Sequence, residues 1–171
     1  MELSDQVFIA LPREQVFTAL NDPLVLQQAI PGCEEIIQHS PTELEARVVL
    51  KIGPVKAKFK GKVTLDAAGA PQHFSLTGQG DGGVAGAAIG GADVQLEEVE
   101  DGTKLSYEAK AEISGKLAQL GSRLVTSTAK KLSKTFFANF EAIMNPKPED
   151  GLPVYRLTRR YLRLKVKAFS R

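Results

Sequence analysis

From Val55 to Leu65 the chain alternates strictly. Val55, Ala57, Phe59, Gly61, Val63 and Leu65 take the odd positions, and Lys56, Lys58, Lys60 and Lys62 take four of the even ones. A period of two places these sets on opposite faces of a strand. One apolar and one basic face point to an antiparallel sheet wetted on one side, since a doubly covered parallel sheet gives nearly continuous apolar runs. The apolar face must then be covered by another part of the chain.

The same alternation recurs on both sides of this segment. Residues 2–11 carry Val7, Ile9 and Leu11; residues 43–52 carry Leu44, Ala46, Val48, Leu50 and Ile52 and turn at Gly53-Pro54 into the lysine-faced strand. Phe74, Leu76, Gly78 and Gly80 share a face further on. A glycine- and alanine-rich piece, 82–92, leads into the alternating residues 93–97, and Asp101-Gly102 marks a hairpin before Leu105, Tyr107, Ala109, Ala111 and Ile113. Residues 33–38 add another strand after the Pro31-Gly32 break. Between the first strand and that break, Pro12 opens a short helix with Val16, Phe17 and Leu20 on one side, Asn21-Asp22-Pro23 stops it, and 24–30 forms a second.

Near the end the period changes. Leu117, Leu120, Leu124, Thr128, Leu132, Phe136, Phe140 and Ile143 recur every three or four residues, which predicts one helix over 116–144 with a continuous apolar stripe. Such a helix is ~43 Å long at 1.5 Å per residue. It is the natural cover for the sheet, and Asn145-Pro146 ends it. Strand, two short helices, six strands and a long helix describe an α+β helix-grip fold: a curved antiparallel sheet wrapped around a long C-terminal helix, with a cavity between them. The inward face is rich in small residues (Gly61, Gly78, Gly80, Ala88, Gly90, Ala92, Ala109, Ala111), and the helix offers Gly121, Ser122, Thr126, Ser127 and Ala129. Facing small residues either let backbones approach closely or leave space.

Composition changes this picture in two ways. A length of 171 residues, 43% hydrophobic and 25% charged, suits one soluble domain, and a single cysteine, Cys33, rules out an internal disulfide framework and points to the reducing cytoplasm. Charge divides the chain. Residues 147–171 hold eight of the 22 basic side chains and two of the 20 acidic ones, so this tail carries +6 and residues 1–146, with 14 basic against 18 acidic, carry −4. The expected organisation is a ligand-binding domain over 1–146 and a basic tail over 147–171. No apolar run approaches the ~20 residues of a spanning helix, so membrane contact is expected to be peripheral.

Four motifs in order carry a resemblance: Pro31-Gly32-Cys33, Lys51-Ile-Gly-Pro-Val-Lys-Ala-Lys-Phe-Lys-Gly-Lys62, Gly78-Gln-Gly-Asp-Gly-Gly83, and Gly115-Lys-Leu-Ala-Gln-Leu-Gly-Ser-Arg123. They resemble the G-subunit family of carbon monoxide dehydrogenase, which belongs to the START-like, Bet v 1-like superfamily, over residues 2 to about 144. The resemblance implies an accessory protein that links a molybdenum hydroxylase of the carbon monoxide dehydrogenase type to the inner face of the membrane and handles a respiratory quinone, menaquinone or ubiquinone. An isoprenoid chain needs a long apolar slot, where each buried methylene contributes roughly 0.8 kcal/mol. The candidate wall is Phe59, Leu65, Phe74, Leu76, Ile89, Leu117, Leu120, Leu124 and Phe136, beside Gly121, with Tyr107, Ser122 or Thr126 to hydrogen-bond the head group. Any of these is equally at home as plain core.

Other chemistry is weighed against plainer readings. Gly78 to Gly83 satisfies the dinucleotide pattern G-x-G-x-x-G, but no helix of a βαβ unit follows it. His39 and His73 lie beside turns and are expected to meet solvent, and Cys33 reads as a small buried residue. No catalytic constellation is recognisable, so a non-enzymatic role is expected; a cavity cyclase or hydrolase and a ligand-free docking protein are the alternatives. The lysine face deters edge pairing or docks an acidic partner. Nucleic acid is disfavoured, because the body is acidic and no aromatic residues interleave with the lysines. In the tail, Arg156, Arg159, Arg160, Arg163, Lys165 and Lys167 mix with apolar residues in a pattern that fits helix and strand equally. That mixture suits a peripheral anchor on anionic lipid, or docking on the chain's own sheet or on a second copy to form a homo-oligomer.

Overall fold

The computed structural model describes residues 1–146. The reading of 147–171 as a separate basic tail, with its candidate contacts Arg156, Arg159, Arg160, Arg163, Lys165 and Lys167, lies outside the described residues. The elements are β1 (Glu2–Ile9), α1 (Arg13–Leu20), α2 (Pro23–Ala29), β2 (Cys33–Ser40), β3 (Glu43–Ile52), β4 (Val55–Asp66), β5 (His73–Asp81), a 3-10 turn (Gly83–Ala85), β6 (Ala87–Val99), β7 (Gly102–Ser114), α3 (Lys116–Gln119) and α4 (Ser122–Met144).

The seven strands form one curved antiparallel sheet in the order β1-β7-β6-β5-β4-β3-β2. Consecutive strands are neighbours from β2 to β7, as short turns dictate; β1 closes the order by pairing with β7, Glu2 opposite Lys110 and Ile9 opposite Thr103. Along β4, half-buried and exposed positions alternate without a break, so the apolar residues face inward and the lysines outward. Pairing of Ile52 with Val55 leaves Gly53-Pro54 as the turn between β3 and β4.

Local chemistry sets the helix starts. The Asp22 carboxylate accepts the Leu24 N–H at 3.0 Å, and Pro23 occupies the first helical position of α2, where its missing N–H costs nothing. Before β2, Gly32 has φ +74°, and a side chain there would run into the Val49 carbonyl, so the Pro31-Gly32 break needs its glycine.

The core gathers at one end, where α1, α2 and the second half of α4 meet the sheet: Ile9, Val16, Ala19, Val25, Ala29, Phe74, Val94, Leu96, Leu105 and Phe140. Phe17 meets Phe74 edge-on at 5.2 Å, and Phe136 stacks over Phe140 at 6.2 Å. Two polar side chains at this end are hydrogen-bonded, whereas the buried Arg13 Nε has no hydrogen-bond partner among the described residues. Thr103, fully buried, donates its hydroxyl to the Leu11 carbonyl at 2.7 Å, and Asn139 donates its side-chain amide to the Ala29 carbonyl at 3.0 Å, tying α4 to α2.

The structure corrects the predicted 116–144 helix. The chain forms a single turn, α3, breaks at Leu120-Gly121 and restarts as α4, whose 23 residues span ~35 Å. Gly121, with φ 90° and ψ 149°, is the cause, because that backbone region belongs essentially to glycine. Among the described residues no helix is long and apolar enough to cross a membrane.

Candidate functional site

Between the concave face of the sheet and α4 lies a cavity of about 630 Å³, within the ~300–1,000 Å³ typical of small-molecule sites. The core closes it at one end with Phe74, Val94 and Leu105. Toward the other end its walls are Leu50, Ile52, Phe59, Ala88, Ile113 and Val125, all only half-buried. The empty volume follows from the small inward residues. Gly61, Gly80, Ala88, Ala92 and Ala109 line it on the sheet side and Ala129 on the helix side, and a Cβ added to Gly80 would meet nothing within 4 Å. Gly80 therefore leaves space, whereas Gly90, where a Cβ would run into the Lys110 carbonyl, lets backbones approach.

Polar groups in the cavity are few, and two are free to act. The Tyr107 ring stacks on Phe137 at 5.8 Å, and its hydroxyl makes no hydrogen bond among the described residues; the same holds for Ser133, one turn before Phe137 on α4. Thr128 also lines the cavity, but its hydroxyl already donates to the Leu124 carbonyl at 2.8 Å, and the Asn21 amide donates to the Phe17 carbonyl at 2.8 Å. Tyr107 and Ser133 thus carry the lining hydroxyls that make no hydrogen bond among the described residues, and both also border a second pocket between β1 and α4.

The sequence-predicted wall is only partly assembled. Phe59, Phe74, Leu76, Tyr107, Leu117 and Phe136 line the cavity. Leu65 faces inward beside Leu76 but packs against the core instead. Ile89 is on the wrong face. On β6, Ala88 points inward, so its neighbour points outward, and Ile89 is 61% exposed beside Lys62 and Gln79. Leu120, Gly121, Ser122, Leu124 and Thr126 do not line the cavity either; the chain breaks at Gly121, and α4 restarts with Val125, Thr128, Ala129 and Leu132 facing inward. Ser133, Val125 and Leu50 went unpredicted; helical spacing back from Phe136 and Phe140 would have found the first two.

The remaining chemistry lies outside the cavity. His39 and Lys60 meet Glu45 on the outer face, His39 Nε2 at 2.8 Å and Lys60 Nζ at 2.9 Å from its two carboxylate oxygens. Those hydrogen bonds, the Lys60 one first, hold the Glu45 carboxyl down to about 2. His73 approaches Asp93 at 3.8 Å. Each histidine thus has an acidic neighbour, and each also meets solvent as expected, with about half of its side chain exposed. Cys33 is half-buried; its burial pushes the thiol up, and it donates to the Glu35 carbonyl at 3.6 Å, so it is a poor nucleophile. Gly78 to Gly83 runs from β5 into a 3-10 turn, which removes the dinucleotide reading.

A curved antiparallel sheet gripping a C-terminal helix around an apolar cavity defines a START-like fold. Solved structures agree. A conserved protein from Geobacillus kaustophilus is 27% identical, with 82% of this chain and 93% of that one covered and a TM-score of 0.77. A START superfamily protein from Mycobacterium smegmatis is 14% identical over 82% and 94% of the two chains, with a TM-score of 0.66, and a protein from Chromobacterium violaceum is 16% identical over 85% and 98%, with a TM-score of 0.64. Residues 6–145 match the model of the carbon monoxide dehydrogenase G-subunit (CoxG) family, and the chain belongs to that family. Comparison with curated proteins finds no match.

Proposed function

We propose that this protein is a non-catalytic carrier that holds a respiratory quinone, menaquinone or ubiquinone, in the cavity between sheet and α4. The carrier links a molybdenum hydroxylase of the carbon monoxide dehydrogenase type to the cytoplasmic face of the membrane. The observation that carries the reading is an apolar cavity of about 630 Å³ in which the lining hydroxyls of Tyr107 and Ser133 make no hydrogen bond among the described residues. A quinone matches that donor set. Its carbonyl oxygens only accept hydrogen bonds, and two hydroxyls can donate to them. Phe136, Phe137 and Tyr107 offer ring surface for the head group, and Phe59, Leu76 and Leu117 offer aliphatic and aromatic surface for isoprenoid units, at roughly 0.8 kcal/mol per buried methylene. The family name supports the dehydrogenase as partner, and the basic residues of 147–171 would meet anionic lipid. Native mass spectrometry and organic extraction of the purified protein test the reading: a co-purifying isoprenoid quinone supports it, and a ligand-free protein that takes up neither quinone on titration removes it.

A further inference from the structure

Three connections converge at the half-buried end of the cavity: the Gly53-Pro54 turn, the 3-10 turn Gly83–Ala85 and the α3–α4 joint. Leu124, at the start of α4, packs so close to Gly53 that a Cβ there would come within 3.1 Å of its side chain, and the backbones of Gly86 and Gly115 touch beside it. This lip presents apolar side chains to solvent. Val84 is 81% exposed and Leu124 37% exposed.

Charge at the lip is positive and unengaged. Lys51 and Lys56 flank the Gly53-Pro54 turn as a cross-strand pair, Lys116 opens α3 and Arg123 follows Ser122 in the first turn of α4; all four are exposed, and none has an ion-pair partner among the described residues. The acids nearby are mostly occupied. Asp81 accepts the Gly83 N–H at 2.8 Å, Glu34 meets Lys58 at 3.8 Å and Glu2 meets Lys110 at 3.8 Å, leaving Glu112 on the outer face of β7. At the opposite end of the sheet Glu97, Glu98, Glu100 and Asp101 surround the β6–β7 turn; Glu97 meets Lys104 at 3.0 Å and Glu98 meets Arg13 at 3.6 Å, leaving Glu100 and Asp101 without an ion-pair partner among the described residues. Unpaired basic charge therefore gathers at the opening and unpaired acidic charge at the β6–β7 turn, while exposed apolar side chains occur at both ends, Val84 and Leu124 at the opening and Phe8 and Val99 by the turn.

We propose that this lip is a membrane-entry surface, separate from the tail. Val84 and Leu124 insert among the acyl chains of an anionic bilayer while Lys51, Lys56, Lys116 and Arg123 hold its head groups, so the cavity opens directly onto lipid. The proposal rests on the carrier reading, since an entry surface matters only if cargo passes through it, but it can be read separately. Exposed apolar residues ringed by bases are the composition of interfacial lipid contacts, and the polarised field brings this end first to a negative surface.

The chain contains no tryptophan, so Val84→Trp and, at the opposite end, Val99→Trp each introduce a single emitter at an exposed site. Full-length variants are mixed with phosphatidylglycerol–phosphatidylcholine vesicles. The Val84→Trp emission is expected to shift to the blue and to be quenched by brominated acyl chains, with Val99→Trp unchanged. In a parallel binding assay, Lys56→Gln with Lys116→Gln is expected to weaken vesicle partition roughly tenfold or more. An unshifted Val84→Trp on vesicles that have bound the protein, an equal shift at Val99→Trp, undiminished partition of the lysine variant, or no vesicle binding at all would overturn the proposal. Menaquinone titration in detergent reads the carrier function independently: a blue shift without quinone uptake keeps the entry surface and discards this cargo, and uptake without a blue shift does the reverse.

Discussion

Tyr107 and Ser133 divide the work of the cavity between shape and polarity. The tyrosine ring packs on Phe137 while its hydroxyl stays free, and Ser133 faces the same space from α4. A hydrogen bond of this kind is worth about 0.5–1.5 kcal/mol, so Tyr107→Phe and Ser133→Ala should each weaken menaquinone binding by roughly twofold to tenfold in a fluorescence titration, with the melting temperature unchanged. Glu45 contributes to stability at acid pH instead. Its folded carboxyl sits at about 2, below the ordinary 4.5, so its contribution is complete above pH 4.5 and is lost as pH falls toward 2. Glu45→Gln should flatten the acid limb of a denaturation profile between those values and leave ligand uptake alone; an unaltered limb would contradict the role given to the His39–Glu45–Lys60 cluster. At this scale the sequence was least informative. The segment that becomes α4 carries six hydroxyl side chains, and only the helix's rotation against the sheet separates Ser133, inside, from Ser122 and Thr126, outside the wall. Ile89 shows the same limit in a strand, where a shift of one position exchanges inside for outside.

Strands were far more legible than helix breaks. Alternation in β3 and β4 is long and uninterrupted, so their faces and their Gly53-Pro54 turn followed from period alone, and the cover helix followed from its apolar stripe. The α3–α4 break did not, because Leu117, Leu120 and Leu124 keep helical spacing across it, and a lone glycine in such a pattern does not by itself announce a break. Positive φ at Gly121 is a property of the folded chain. Gly121→Ala should destabilise the protein by about 1–3 kcal/mol in urea denaturation, the cost of forcing a side chain into that backbone region. A variant as stable as the parent would mean that the break is not held by glycine. Gly80 gives the opposite case. It sits in regular β5 with open space before it, so a large side chain there should fill the cavity without the clash or strain a substitution at Gly121 brings.

The molecule as a whole is a sheet and helix that meet firmly at one end and part at the other. Phe140, Leu105 and their neighbours weld the core end, and Phe140→Ala should cost about 3–5 kcal/mol in the same denaturation assay, whereas truncating the half-buried Ile52 or Val125 should cost much less. Concentrating cohesion away from the opening is what allows a cavity to coexist with a stable fold. The architecture was readable from element order, and the family from four short motifs; the cavity itself was not, since small inward residues fit close packing as well as they fit space. Whether this space holds a quinone is best decided by titrating menaquinone into the parent protein and into Gly80→Phe. A quinone carrier binds menaquinone saturably, and Gly80→Phe abolishes that binding while keeping the parent's melting temperature. Absence of saturable binding by the parent, or equal binding by a folded Gly80→Phe variant, would refute quinone carriage in this cavity.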